Sequence, residues 1–223
     1  MKALLYKEFK LAMHPICYVF IFVFPVLLLI PSYPLGVGFI YILSCYPILF
    51  LGANKGQQSN DLLFSTLLPV HKKDIVMARI ITIAITQFAF MAVMACLLPV
   101  AFLIQANIPD AAPVGIGYNG FVLLLSIALI GYALADLIFF PIYYHHGKSI
   151  VASTLFTILG FVVYLSIFTI ALPFVPVVGD GYAWVSDNLW VQFIFLAVAL
   201  VLYVIIHFIV YKVSSKELER VDF

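Results

Sequence analysis

Residues 121–130 read FVLLLSIALI, with apolar side chains on every side and Ser126 as the one polar group. Strands of a membrane barrel alternate apolar and polar residues, and this run does not. A helix satisfies its backbone groups within one segment, so the stretch predicts a membrane-spanning helix. Its flanks extend the apolar character over residues 119–142, which exceeds the roughly 20 residues that a span needs.

The whole chain has the same character. Its 223 residues are 65% hydrophobic and 9% charged, with a mean hydropathy of +1.19, whereas a soluble domain carries about 25% charged residues. This composition excludes a soluble enzyme, a disordered chain and a small disulfide scaffold. The net charge of +1 provides no basic field that would attract nucleic acid. The hydrophobic composition instead predicts a protein that lies in a lipid bilayer.

Apolar runs of span length recur along the chain. They predict an all-α polytopic fold in which residues 1–223 form one transmembrane domain of six helices. The predicted spans are 16–34, 35–53, 80–104, 119–142, 149–173 and 189–211. Only a Pro-Ser-Tyr-Pro turn separates the first two, so one re-entrant element is the alternative there.

The basic residues indicate the orientation. All 11 Lys and Arg lie in the N-terminal segment, in the 54–79 connection, in the 143–148 turn or in the C-terminal tail. The connections between these regions carry acids and no basic residue. By the positive-inside rule, both termini are predicted to be cytoplasmic.

The segment Met1–Met13 precedes the first span. Leu5, Phe9 and Met13 recur at helical spacing, and three lysines mark another side. The pattern favours an amphipathic helix in the cytoplasmic interface. The alternative is a simple basic flank to span one.

Asp136 is the one acid well inside a predicted span, about 9 Å from its cytoplasmic end at 1.5 Å per residue. An intramembrane acid is a functional candidate by default. The structural alternative is a carboxylate bonded to a neighbouring hydroxyl or reached by cytoplasmic water. His14, His71 and His207 are isolated in sequence and receive no role.

Motifs for catalysis or metal binding are missing from the sequence. There is no His-Glu-x-x-His or Cys-x-x-Cys, and the odd, widely spaced Cys17, Cys45 and Cys96 predict no disulfide or metal site. Adjacent His145 and His146 are expected to be solvated. The Gly-Lys-Ser at 147–149 lacks the first glycine of a phosphate-binding loop, because position 142 is Ile. The chain is therefore expected to be no enzyme and to bind no cofactor.

The long connection Asn54–Arg79 contains a short amphipathic pattern. Asn60 or Asp61 can cap a helix, Leu62, Leu63 and Leu67 form an apolar stripe, and Pro69 ends it. Lys72–Asp74 are expected to begin a second short helix before span three. The stripe either lies on lipid or fills a groove on a soluble partner.

Two segments resemble the type-2 ABC export permeases, most closely a small six-span Firmicutes-type branch that includes exporters of cytolytic peptides. One is residues 60–79, NDLLFSTLLPVHKKDIVMAR, which resembles the family's coupling-helix segment. The other is residues 139–149, FFPIYYHHGKS, which resembles the turn that ends span four. The six-span pattern extends the resemblance over the whole chain.

The resemblance implies a half-permease in a bacterial plasma membrane that pairs with a second permease subunit, as a homodimer or heterodimer. ATP and Mg would bind a separate ABC ATPase, which docks on the coupling helix. By match, Asp61, Thr66, Leu68 and Pro69 belong to this element. Together with the residues of the amphipathic pattern, the docking element comprises Asn60, Asp61, Leu62, Leu63, Thr66, Leu67, Leu68 and Pro69. Larger relatives often carry Glu where this chain has Asn60-Asp61.

The resemblance also implies short re-entrant helices in the outer connection, for which residues 173–188 are long enough. Spans with almost no charge suit an amphipathic or hydrophobic cargo, with a peptide favoured. The rival readings are a secondary transporter or ion pathway that uses Asp136, and a structural or sensory membrane subunit.

Overall fold

The computed structural model describes residues 2–13, 15–29, 70–107, 120–145, 150–168 and 176–220. The regular elements of these residues are helices. They are α1 (Lys2–Lys7), a π-helical turn (Glu8–Ala12), α2 (Pro15–Val26), a 3-10 turn (Leu27–Leu29), α3 (Lys72–Ala106), α4 (Phe121–His145), α5 (Ile150–Ser166), α6 (Pro176–Asp187) and α7 (Leu189–Arg220).

The predicted fold class is confirmed: the chain is an all-α polytopic membrane protein. In the described residues, three helices are long and apolar enough to cross a membrane: Lys72–Ala101 of α3, all of α4 and all of α7. The N-terminal helices meet at 73° and can supply a fourth span, whereas the apolar α5 is shorter. The predicted span 35–53 lies outside the described residues, so the count of six stays a prediction.

Helix α4 forms the centre of the bundle. It is apolar around its whole circumference, and a helix of that kind is stable when it is surrounded by other helices or lipid. Its side chains are buried along nearly the full length, including Tyr132, Phe139 and Tyr144. Helix α7 lies along one side of α4, while α5 and α3 pack on others.

Helices α4 and α5 approach closely at Gly131. A Cβ atom at this position would lie 2.9 Å from Phe161 Cε2 and 3.1 Å from Tyr164 Cε1. The Tyr164 hydroxyl donates a hydrogen bond of 2.7 Å to the backbone oxygen of Ile127. The missing side chain therefore makes room for two aromatic rings.

The outer faces of α5 and α7 are apolar and exposed. They include Leu155 and Leu159 on α5, and Val201, Val204 and Phe208 on α7. Such faces are stable in lipid or against another membrane helix, and not in water. This exposure agrees with the multi-pass membrane assignment.

The N-terminal segment packs against the beginning of α3. Leu4, Glu8 and Met13 are its buried residues, while Leu5 and Phe9 are only partly buried. The buried face therefore differs from the predicted stripe of Leu5, Phe9 and Met13: Leu4 and Glu8 are buried in place of Leu5 and Phe9, and Met13 is buried as predicted. The reason is that Glu8 points toward a charged partner.

A helix begins at Lys72, as the sequence predicts. It is not a short helix that precedes span three, because Lys72–Ala106 is one continuous helix. Asp74 lies in its first turn, where an acid interacts favourably with the helix dipole. The first residues of α3 therefore connect rigidly to those inside the bundle.

The connection between α5 and α7 contains a helix, α6, which covers much of residues 173–188. After Asn188 the chain continues as α7, and the buried Gln192 links three segments. Its Nε2 donates to the Ser186 oxygen at 2.7 Å, and its Oε1 accepts from the Leu123 backbone nitrogen at 3.4 Å. Gln192 thereby serves an N–H in the first turn of α4, which has no helical partner of its own.

Candidate functional site

The predicted coupling-helix residues lie outside the described residues. This holds for Asn60, Asp61, Leu62, Leu63, Thr66, Leu67, Leu68 and Pro69. The described chain resumes at Val70, and α3 begins two residues later. The predicted docking element is therefore joined to α3 by only two residues.

Asp136 lies in the bundle and is 0% exposed. It is nine residues from the end of α4, hence about 14 Å along the helix axis. Its Oδ2 atom accepts a hydrogen bond of 3.0 Å from the side-chain amide of Gln87 on α3. The same oxygen lies 2.9 Å from Nε2 of His207 on α7.

Two more contacts close these side chains into a ring. The Tyr203 hydroxyl donates to Oε1 of Gln87 at 2.5 Å. His207 Nδ1 lies 2.8 Å from the backbone oxygen of Tyr203, one helical turn away. We call Gln87, Asp136, Tyr203 and His207 the polar ring.

The polar ring connects three helices at one level. Gln87 comes from α3, Asp136 from α4, and Tyr203 and His207 from α7. The Tyr203 and His207 rings stack with centroids 3.9 Å apart, and Phe88 packs edge-on against Tyr203. Polar bonds inside an apolar bundle hold helices in one arrangement, because separation leaves polar groups without partners.

The structure gives Asp136 two partners that the sequence does not predict. The sequence alone predicts a hydroxyl or water beside the acid and gives no role to His207. The structure places the amide of Gln87 and the imidazole of His207 against Asp136 Oδ2. The available signal was the pair Tyr203 and His207 at a spacing of four in an apolar span, a spacing that puts both on one helix face.

A second polar site lies at the beginning of α3. Arg79 Nε donates to Glu8 Oε2 at 3.0 Å, and the second guanidinium nitrogen donates to Oε1 at 3.3 Å. Glu8 is 4% exposed and Arg79 is 7% exposed. This two-point geometry fixes the N-terminal segment on α3, about 12 Å along α3 from Gln87.

The C-terminal end of α7 is held by a third group of charges. His145 Nδ1 at the end of α4 lies 2.7 Å from Glu217 Oε2, and Arg220 contacts the other oxygen of Glu217 at 2.9 Å. The hydrogen bond with His145 lowers the pKa of Glu217 from its ordinary value of 4.5. Lys73 on α3 and Glu219 form a more exposed ion pair at 3.3 Å.

These contacts bring four charged segments to one end of the bundle: the N-terminal segment, the beginning of α3, the end of α4 and the end of α7. The distribution of basic residues in the sequence predicts that the same four segments are cytoplasmic. Their common placement supports that grouping, while the side of the membrane stays a prediction.

Metal-ligating side chains do not gather among the described residues. Among the described residues, no three His, Cys, Asp or Glu side chains are close enough to hold a metal ion. His146 and the Gly-Lys-Ser at 147–149 lie outside the described residues. The polar ring contains groups that donate and accept hydrogen bonds, and its carboxylate and imidazole can bind protons.

Comparison with known proteins identifies a family whose model covers the chain. The family described as ABC-2 family transporter protein matches residues 3–215, which is nearly the whole chain. No curated protein and no solved structure matches it.

Proposed function

The chain belongs to the ABC-2 transporter family, and we propose that it is the transmembrane subunit of an ATP-driven exporter. It would lie in a bacterial plasma membrane and move an amphipathic or hydrophobic substrate, most favourably a peptide, out of the cell. A separate ATPase would bind ATP and Mg and dock on residues 60–69. The proposal narrows the cargo to the class transported by the small peptide-exporting branch that the chain resembles.

The family match over residues 3–215 carries this proposal. It covers the membrane-spanning helices themselves, so the matched function belongs to the transmembrane part. The sequence also leaves no region of useful size for an ATPase domain between apolar segments. The energy for transport would therefore come from another subunit.

The structure supports a route from the docking element to the bundle. A displacement of residues 60–69 would reach α3 through two residues and would then pass along one continuous helix. The Glu8–Arg79 pair ties the N-terminal segment to the same helix, and the polar ring ties α3 to α4 and α7. Interfaces of this kind change between discrete packings when one partner is biased by a ligand.

The second permease subunit would pack on an apolar surface. The exposed faces of α5 and α7 supply such a surface, with lipid covering what the partner does not. A pathway lined by apolar side chains suits a cargo with apolar parts and would repel ions. Homodimers and heterodimers are distinguished by whether the tagged chain purifies with an untagged copy of itself.

The docking proposal is tested by charge insertion. The tagged chain is co-expressed with an ABC ATPase from the same organism, and the ATPase is measured in the purified complex. Leu67→Asp should abolish the association, because a carboxylate would enter an apolar groove. Gln57→Asp places the same charge in the same connection outside residues 60–69 and should leave association intact. Equal amounts of ATPase with both variants would contradict the docking proposal.

Asp136 and His207 favour a second candidate, a proton-coupled transporter, because paired ionisable groups within membrane helices often serve proton relays. Such a transporter would move cargo in liposomes with a pH gradient and no ATPase. The exporter proposal predicts that a pH gradient alone moves no cargo. It predicts transport when both ATP and the ATPase are present.

A further inference from the structure

We propose that Asp136 and His207 form a proton-binding site whose occupancy is coupled to the packing of α7 against α4. The pair would hold one proton while the helices are packed and would lose it near neutral or alkaline pH when they separate. The inference concerns the chain alone and does not depend on the exporter assignment or on the identity of the cargo.

The two ring nitrogens of His207 both face acceptors. Nδ1 lies 2.8 Å from the Tyr203 backbone oxygen, and a carbonyl oxygen can only accept, so Nδ1 must carry a proton. Nε2 lies 2.9 Å from Asp136 Oδ2. A neutral ring would then hold a lone pair against that oxygen, whereas a ring protonated at both nitrogens is a cation and forms an ion pair with the carboxylate.

The other contact of Asp136 Oδ2 indicates which residue holds the proton. This oxygen also accepts from the Gln87 amide at 3.0 Å. An ionised carboxylate oxygen accepts from two donors, while the hydroxyl oxygen of a protonated acid is a poor acceptor. The arrangement thus corresponds to an imidazolium beside a carboxylate, which is neutral as a unit.

The surroundings favour keeping the unit neutral. Asp136 is fully buried, and loss of the proton would remove the positive charge of His207 that lies against this buried carboxylate, which is costly. Among the residues that the structure describes, the titratable group beside the pair is the phenol of Tyr203 on α7, and next to Tyr203 lies the phenol of Tyr132 on α4. Helix α3 contributes the uncharged amide of Gln87. The phenols are neutral at neutral pH, so they do not supply a compensating charge.

Separation of α7 from α4 changes the proton count. In water an ordinary imidazole is mostly neutral above about pH 6.5, and an ordinary carboxyl is ionised. The packed pair holds one proton and the separated, hydrated pair holds none, so separation at pH 8 transfers one proton to water. The linkage relation then predicts that the packed arrangement becomes about tenfold less favoured per pH unit above neutrality. Below pH 6.5 the separated histidine also binds a proton, and this dependence disappears.

The protonation state is measured by NMR on the full chain in lipid nanodiscs with ¹⁵N-labelled histidine. His207→Gln identifies the His207 signals by their loss. We expect both ring nitrogens of His207 to remain protonated at pH 8 in the wild-type chain, and Asp136→Asn to make the ring neutral at that pH. A neutral His207 ring at pH 8 in the wild-type chain overturns the proposal, whether or not the Asp136 variant folds.

The coupling to packing is measured by unfolding the same chain between pH 6.5 and 9. The wild-type unfolding equilibrium should shift toward the unfolded state with rising pH more steeply than that of His207→Gln, with a difference that approaches tenfold per unit. His71→Gln, which removes an exposed histidine at the beginning of α3, should keep the wild-type slope. Equal slopes for the wild type and His207→Gln would overturn the coupling. Neither the NMR signals of His207 nor the pH dependence of unfolding requires ATP-driven export. Failure of the exporter proposal can therefore be distinguished from failure of the proton-binding proposal.

Discussion

The Glu8–Arg79 pair allows the strongest quantitative test of how the N-terminal segment is held. The two hydrogen bonds measure 3.0 and 3.3 Å, and the side chains are 5% and 9% exposed. Removal of one partner from a buried ion pair costs about 3–5 kcal/mol, because the remaining charge stays buried. Lys7 Nζ lies 3.7 Å from Glu8 Oε1 and partly balances Glu8, so the lower value applies to loss of Arg79.

The perturbation is a double-mutant cycle of Glu8→Gln and Arg79→Leu in the full chain. We expect Arg79→Leu to reduce the free energy of unfolding by about 3 kcal/mol, and Glu8→Gln, which leaves the Arg79 guanidinium buried, by about 3–5 kcal/mol. The double change should cost about 2 kcal/mol less than the sum, because the two residues lose a shared interaction. Unfolding by sodium dodecyl sulfate in mixed micelles, followed by tryptophan fluorescence, gives the four values.

The control is the Lys73–Glu219 pair, which joins the same end of the bundle at 3.3 Å but has side chains that are 56% and 48% exposed. Exposed pairs contribute roughly 0–1 kcal/mol. The cycle of Lys73→Gln and Glu219→Gln should therefore show a coupling below about 1 kcal/mol. A coupling at Glu8–Arg79 as small as this control would refute the argument that burial makes the first pair strong.

Three further predictions concern packing and charge. Gly131→Val should destabilise the chain by about 1–3 kcal/mol, because its Cβ would lie 2.9 Å from the Phe161 ring; in the same unfolding assay Gly181→Ala, where nothing lies within 4 Å, should be nearly neutral, and equal losses would contradict the packing argument. Tyr164→Phe removes the hydrogen bond to Ile127 and should reduce the free energy of unfolding by about 1 kcal/mol. An unchanged free energy of unfolding would contradict this prediction. Because the pKa of Glu217 is lowered, the contribution of its ionised carboxylate to stability is present above pH 4.5 and is lost as the pH falls through the lowered pKa. In ¹³C NMR titrations His145→Gln should raise the pKa of Glu217 toward 4.5, and an unchanged pKa would exclude His145 as the cause.

Much of the fold could be predicted because the bilayer restricts the choices. An apolar run such as 121–130 has only a helix available in lipid, and α4 spans the predicted segment. The sequence also grouped the segments that contain Lys73, Arg79, His145 and Lys212 at one end, since basic residues accumulate on one side of the membrane. Helices α3 and α7 extend beyond their predicted spans at this end, because hydropathy marks the apolar part of a helix and not its polar turns.

The contacts of the polar side chains could not be predicted to the same extent. Asp136 stands out in the sequence because a charge within a span is rare. The identity of its partners depends on helix rotation and tilt, which hydropathy does not determine. His207 is 71 residues away in sequence and Gln87 is 49 away, so no local pattern connects them. The pairing of Glu8 with Arg79 could not be predicted either, because an acid in an interfacial helix is ordinarily solvated.

Transport by reconstituted liposomes tests the central claim most directly. The chain and its ATPase are inserted together into liposomes, and a fluorescent amphipathic peptide is supplied on the side that carries the ATPase. We predict uptake that requires hydrolysable ATP and is absent with a pH gradient alone or with Leu67→Asp. Gradient-driven uptake by the chain without the ATPase would contradict the account.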